Sequence, residues 1–239
     1  MAQAPDEQQV QLQFWRTNLQ DPTYKTMVER MLLDPTGETY SDEELTVLLG
    51  LVPELPADSV LLELGAGSGR VTPHLARKAR RVVAYDFMPE FIEDNRSLCA
   101  SLGLTNVEHV VADAALVEWP PASADMVFAN WLLMYLPDEA ARAFVARSVS
   151  ALRPGGYLFV HESCGPEASG DPDATYQPYA ADNPARYRHP NWYEALLRRV
   201  LSEQARETGV FSRHDLTPLY RMDDPSMDGT QIAWLVRAA

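Results

Sequence analysis

The sequence predicts an α/β fold: a mostly parallel seven-stranded sheet with helices on both faces and an antiparallel C-terminal strand. Three observations predict it. Short apolar runs alternate with helix-length stretches from residue 59 to residue 163, and repeated strand–helix units build parallel sheets. The first run stops in the glycine turn Gly65-Ala66-Gly67-Ser68-Gly69 before a helix-like segment. Near the end, β-like runs at 209–219 and 230–237 flank the polar loop Asp223-Asp224-Pro225-Ser226-Met227-Asp228-Gly229. A hairpin there makes one strand run against its neighbour.

The elements follow in order. Residues 10–34 place Leu12, Trp15, Leu19, Met27, Met31 and Leu32 at helical spacing, so residues 1–50 read as a helical N-terminal cap. Ser41-Asp42-Glu43-Glu44 has capping-box form with Ser41 as N-cap, and Pro53 and Pro56 close that helix. Strand 59–64 leads to helix 69–79, strand 81–86 to helix 89–102, and strand 107–111 to an irregular stretch with Pro120 and Pro121. Strand 125–129 leads to helix 137–151, where Pro137 suits the first turn. Pro154-Gly155-Gly156 turns the chain into strand 157–163. Residues 164–190 carry five prolines and few aliphatics, which reads as a lid inserted at the carboxyl end of the sheet. Helix 191–206 precedes the hairpin. The 239 residues read as one domain.

Bulk properties exclude some functions. The chain has 20 basic and 34 acidic side chains, a formal charge of −14. That disfavours non-specific contact with nucleic acid or an anionic membrane, both of which need basic patches. Cys99 and Cys164 are the only cysteines, too few for a disulfide framework and without zinc spacing, so no metal is expected. No apolar run approaches the ~20 residues of a membrane span. The N-terminus is polar and acidic, unlike a signal peptide. The expectation is a cytoplasmic protein, a monomer or weak oligomer, whose partner is a small molecule.

The glycine turn points to a nucleoside cofactor. Glycine lets a ligand lie against the main chain. The dinucleotide fingerprint needs a glycine where this chain has Arg70, which moves the reading from NAD to S-adenosylmethionine (SAM). Gly65, Ala66, Gly67 and Gly69 would face the methionine part, and Glu63 would orient the turn or receive the amino group. Asp86 and Phe87 follow a second apolar strand, where an aspartate can take both ribose hydroxyls. Asp113 and Ala114 end a third strand and would meet the adenine, or Asp113 is simply a strand-end cap. Asn130 and Trp131 end the fourth strand and should line the same cleft.

A basic–aromatic cluster marks the substrate side. Asn183-Pro184-Ala185-Arg186-Tyr187-Arg188-His189-Pro190-Asn191-Trp192-Tyr193 carries two arginines, a histidine and three aromatics in an acidic chain. Arginine offers a fork of donors to phosphate or carboxylate, and a ring face attracts an ammonium by about 0.5–2 kcal/mol.

At these residues the chain resembles the phosphoethanolamine N-methyltransferases, specifically the first methyltransferase half of the plant enzymes. Asn130-Trp131-Leu132-Leu133-Met134-Tyr135-Leu136 is similar to the family's N-W-L-L-M-Y-L. Glu162-Ser163-Cys164 is similar to R-E-S-C, with His161 where those enzymes carry arginine. Asn183-Pro184-Ala185-Arg186-Tyr187-Arg188-His189-Pro190 resembles N-P-T-H-Y-R-E-P. Phe14-Trp15, Met31-Leu32-Leu33-Asp34 and Gln231-Ile232-Ala233-Trp234 extend the resemblance over nearly the whole chain. It implies a Rossmann-like class I methyltransferase fold and SAM-dependent methylation of phosphoethanolamine or its methylated forms. Tyr187, Arg188 and Tyr193 are expected to hold the phosphate, with Arg186 and His189 as further candidates. Tyr135 and Asn130 are expected to face the amine, with Glu162 or a water accepting its proton. Tyr135 stands where single-domain relatives place a histidine. Trp15 and Tyr24 are expected to close over the site from the N-terminal cap. Two alternatives stay open: a protein N-terminal α-amine methyltransferase and a non-catalytic SAM-binding module.

Overall fold

The computed structural model describes residues 7–20, 40–165, 175–176, 184–206, 210–220 and 230–239. Helices α1 (Glu7–Gln20) and α2 (Tyr40–Leu51) come first. The alternating series follows: β1 (Val60–Leu64), α3 (Thr72–Lys78), β2 (Arg81–Asp86), α4 (Pro89–Ser101), β3 (Val107–Val111) and β4 (Ala124–Asn130). A 3₁₀ turn at Leu133–Tyr135 leads to α5 (Asp138–Ala151) and β5 (Leu152–Cys164). Two short strands, β6 (Thr175–Tyr176) and β7 (Tyr187–Arg188), pair with each other. Then come α6 (Pro190–Glu203), β8 (Val210–Asp215) and β9 (Thr230–Arg237).

The main sheet has seven strands in the order β3-β2-β1-β4-β5-β9-β8. β1 to β5 run parallel, and β9 lies antiparallel between β5 and β8. This is the expected α/β architecture, with the order reversing between β1 and β4. Such a switch point puts strand ends and loops around an open crevice.

Strand alternation builds a core on each face. Leu62, Leu64, Val127, Leu158 and Val160 pack with Phe144, Val145 and Val149 of α5 and Leu197, Val200 and Leu201 of α6. Their neighbours Leu61, Phe128 and Phe159 turn the other way, onto Leu45 and Leu48 of α2 and Leu75 of α3. The Phe128 and Phe159 rings stack at 4.7 Å.

Several expected boundaries move, among them the helix expected over 69–79, which spans Thr72–Lys78, and that expected over 191–206, which spans Pro190–Glu203. β5 starts at Leu152, and Pro154-Gly155-Gly156 forms an irregularity inside it: Ala124 pairs with Leu152 but Met126 with Tyr157. Gly155 takes φ +78° there, which glycine adopts without steric cost. α2 begins at Tyr40, one residue before the expected Ser41 cap. β8 ends at Asp215, where the carboxylate accepts the Thr217 N–H at 2.9 Å and starts a 3₁₀ turn. Much of the expected lid, and Met31-Leu32-Leu33-Asp34, lie outside the described residues.

Candidate active site

The glycine turn sits at the carboxyl end of β1, with Gly65, Gly67 and Gly69 at φ +70°, +55° and +99°. Asp86, ending β2 beside it, latches the turn: one oxygen accepts the Gly67 N–H and the other the Met88 N–H, each at 2.9 Å. The Ala66 N–H reaches the Tyr85 carbonyl at 2.9 Å. Burial holds the Asp86 carboxyl above its ordinary range, against amide bonds from Met88, Gly67 and Phe87 that pull it down. Three backbone amides thus converge on this one carboxylate, which has about four acceptor positions on its two oxygens.

Beneath the turn lies a buried polar network. Asn95 donates to the Thr72 hydroxyl at 2.7 Å and to the Gly67 carbonyl at 3.4 Å. Glu63 is 3% exposed. Burial pushes its pKa from 4.5 to about 8, opposed by a Thr72 hydrogen bond and aided by the Asp86 charge. Of its two expected roles, this placement suits orienting the turn.

These shifts predict how stability varies with pH. The folded chain keeps a Glu63 proton that the unfolded chain releases near pH 4.5, so the stability from that proton is full at low pH and disappears as pH rises through about 8. His161, lowered from 6.5 to about 3 by burial and the Arg70 charge, acts oppositely and only below pH 6.5. Between pH 6.5 and 8 the carboxylates act alone, so stability falls with rising pH by up to about 1.4 kcal/mol per unit per group. Glu162, raised to about 7, contributes in the lower part of that window. Urea melts across it should slope downward, and Glu63→Gln should flatten most of the slope; a level wild-type profile would refute the shift.

At the end of β3, the Asp113 carboxylate accepts the Ala115 N–H at 2.8 Å, as a strand-end cap does. Arg147 of α5 donates to the Ala114 carbonyl at 3.4 Å and also to the Ala115 carbonyl. The loop is therefore anchored from α5, a contact the sequence reading missed.

The other wall forms where β4 ends. Trp131 takes φ +52°, an uncommon conformation for a bulky residue. Its indole donates to Gln231 of β9 at 3.0 Å, and the Arg70 guanidinium sits 5.1 Å from its ring centre. Asn130 Oδ1 meets buried His161 Nδ1 at 2.6 Å. The 3₁₀ turn then presents Tyr135, whose ring meets Trp15 of α1 edge-on at 5.4 Å. Trp15 also meets Phe91 at 5.9 Å, and Gln11 donates to the Tyr135 carbonyl. Gln11 and Trp15 lie four residues apart, on one helix face. That spacing was the available signal for Gln11, whereas nothing local marked Phe91.

Comparison with known proteins places the arrangement. A methyltransferase domain model matches residues 61–156. Phosphoethanolamine N-methyltransferase 1 of Triticum aestivum is 36% identical over 198 residues, covering 82% of this chain and 37% of that enzyme. The Caenorhabditis elegans enzyme of the same name is 35% identical over 171 residues, covering 71% of this chain and 35% of that one. The chain has the class I methyltransferase fold and is a homologue of the phosphoethanolamine N-methyltransferases. A solved structure of the Haemonchus contortus phosphoethanolamine N-methyltransferase 1, in complex with phosphoethanolamine and S-adenosylhomocysteine, superposes with TM-score 0.73 at 26% identity. That match covers 98% of this chain and 49% of the other. The chain thus spans well under half the length of these two curated relatives.

Within this methyltransferase fold, several expected site residues take other roles. Arg188 is 1% exposed, and its guanidinium is committed to the Leu133 and Leu136 carbonyls and to Asp138. It also lies 4.3 Å from the Trp192 ring centre, so it organises the fold and does not grip phosphate. Tyr193 is fully buried against Trp192 and Trp234, so its hydroxyl cannot reach an external anion. His189 caps α6, its Nδ1 accepting the Asn191 N–H at 3.1 Å. Glu162 is not the proton acceptor: it is fully buried, with both oxygens taken by the amides of Leu132, Leu133 and Met134. Arg186 and Tyr187 are half-buried in the segment beside this turn, where the Arg186 N–H donates to the Met134 carbonyl at 2.7 Å. Tyr24 lies outside the described residues.

Proposed function

We propose that this chain is a SAM-dependent N-methyltransferase acting on a small amine, phosphoethanolamine or its methylated forms. One observation carries the reading: the Asp86-latched glycine turn and the Trp15–Tyr135 contact occur in a homologue of enzymes named for that reaction. The turn fits the cofactor, because a Cβ built at Gly67 meets nothing within 4 Å and leaves the backbone face open to a ligand. Asp86 would accept from the ribose hydroxyls, Gly65 and Ala66 would flank the methionine part, and Ala114 would border the adenine.

Bound SAM supplies an electrophilic methyl group on a sulfonium, transferred by in-line displacement. The chain must align a neutral amine within roughly 3–3.5 Å of that carbon. A primary alkyl ammonium titrates near ~10, as lysine does, so it sheds a proton on binding. Tyr135 orients the amine through its hydroxyl, beside Asn130. With Glu162 occupied elsewhere, water carries the proton away. Trp15, between Tyr135 and Phe91, shields this wall from solvent. Tyr187 and Arg186 hold the phosphate, with Tyr24 a further candidate. The lid expected over 164–190 is narrower than that, because Cys164 ends β5 and Arg188, His189 and Pro190 are built into β7 and α6; 1–50 serve as the cap of a single domain. The protein works in the cytoplasm, as a monomer or weak oligomer. No helix among the described residues is long and apolar enough to cross a membrane.

The test uses purified protein with labelled SAM and, separately, ethanolamine, phosphoethanolamine, its mono- and dimethyl forms, glycine and an X-Pro-Lys peptide, with products weighed by mass spectrometry. Methylation restricted to the phosphobases is expected, and the mass increments count the methyl groups. Activity on the peptide or glycine alone would replace the substrate assignment, and binding without transfer would leave only a SAM-binding module.

A further inference from the structure

Two buried ionisable side chains converge on one five-residue stretch of backbone. Glu162 Oε1 accepts the N–H groups of Leu132 at 3.1 Å and Leu133 at 2.8 Å, and Oε2 accepts that of Met134 at 3.1 Å. Arg188 takes the carbonyls: Nη1 donates to Leu133 at 3.0 Å and Nη2 to Leu136. The Arg186 N–H takes the Met134 carbonyl and Gln11 takes that of Tyr135. Residues from β5, from the segment before α6 and from α1 thus hold the turn that carries Tyr135.

The arrangement is more than core filling. Glu162 and Arg188 are 0% and 1% exposed, and the ion-pair partner of Arg188 is Asp138, at 2.7 Å. A buried charge is a poor source of stability compared with an apolar side chain of similar size. What it supplies is a defined position for the backbone it holds. The 3₁₀ turn is only three residues long, too short to fix its own geometry. Arg188 also ties that turn to the strand where Tyr187 sits, and the Gly165 N–H bonds the Arg188 carbonyl at 3.0 Å.

We propose that Glu162 and Arg188 are positioning residues that together set Tyr135 against the amine, and that Arg188 makes this setting depend on the segment carrying Arg186 and Tyr187. The inference rests on the reading that Tyr135 faces the amine. Substrate held by that segment and the tyrosine that aligns its nitrogen are then parts of one hydrogen-bonded frame.

The test centres on Glu162→Gln in the full-length protein. Gln keeps the volume and one acceptor oxygen, and loses the oxygen that binds Met134. Hydrogen exchange at the Leu132, Leu133 and Met134 amides should accelerate, while exchange in β1 and β4 stays as in the wild type. Turnover of phosphoethanolamine should fall roughly 10–100-fold, as expected for misplacement of an aligning group, with KM for SAM held within about twofold. In a Tyr135→Phe background the same substitution should cost little more, because residues acting through one another are not additive. Full additivity, or unchanged exchange at the three amides, overturns the proposal. Should Glu162→Gln fail to fold, Asp138→Asn replaces it: the Asp138 side chain is 67% exposed, and freeing Arg188 should lower kcat in the same non-additive way. Hydrogen exchange needs no substrate, so the frame stands or falls on it even if the wild type methylates no phosphobase, a result that would count against the proposed function alone.

Discussion

Gly69→Ala lowers folding stability by about 2–6 kcal/mol and removes SAM binding. Gly69 sits at φ +99°, and an added Cβ would lie 3.0 Å from Asn95 Cγ and Oδ1 and 3.2 Å from its Cα. Asn95 cannot yield: it is fully buried and tied to Thr72 and to the Gly67 carbonyl. The cost combines backbone strain of about 1–3 kcal/mol with overpacking of similar size. Gly67→Ala is the informative contrast. Its φ is +55°, and a methyl added there would meet nothing within 4 Å, so it costs only about 1–2 kcal/mol of left-handed strain. That methyl would nevertheless project from the face assigned to the cofactor. Thermal melts and titration with S-adenosylhomocysteine separate the two: Gly69→Ala loses both properties, and Gly67→Ala loses affinity with most of its stability retained. Normal affinity in Gly67→Ala would move the cofactor off the turn.

Arg188→Ala destabilises the protein by about 3–5 kcal/mol, the range for stripping one partner from a buried charged network. In a domain of this size that lowers Tm by roughly 10 °C. The substitution leaves the buried carbonyls of Leu133 and Leu136 without the guanidinium and opens a void beside Trp192 and Tyr193. Its opposite charge, Asp138, is exposed enough to rehydrate, which keeps the loss within that range. Differential scanning calorimetry decides the matter. A variant with wild-type Tm and a raised KM for phosphoethanolamine would return Arg188 to the phosphate site.

Arg188 marks where reading along the chain stops being sufficient. Tyr187 and Arg188 are adjacent and equally suited to an anion. In a strand, neighbours point to opposite faces, and no local pattern says which face meets the core. Arg188 turned inward because carbonyls 52 and 55 residues earlier needed donors. Glu162 follows the same logic: a carboxylate beside a cleft reads as a base until the amides it caps are seen. Tyr193 looked like part of the cluster in sequence, yet it lies on the buried side of α6.

The sequence by itself determined the alternating strands and helices, the glycine turn, the acids that end β1 and β2, and the reversed last strand. These features are local: hydrophobic period, glycine at positive φ and turn residues act within a few positions of themselves. Only the tertiary structure decided which charged side chains face solvent, because that follows from backbone groups left unsatisfied by distant segments. It brought Gln11, Trp15, Phe91 and Tyr135 together across three elements, and it turned Glu162 and Arg188 from candidate site residues into the frame that holds the turn carrying Tyr135.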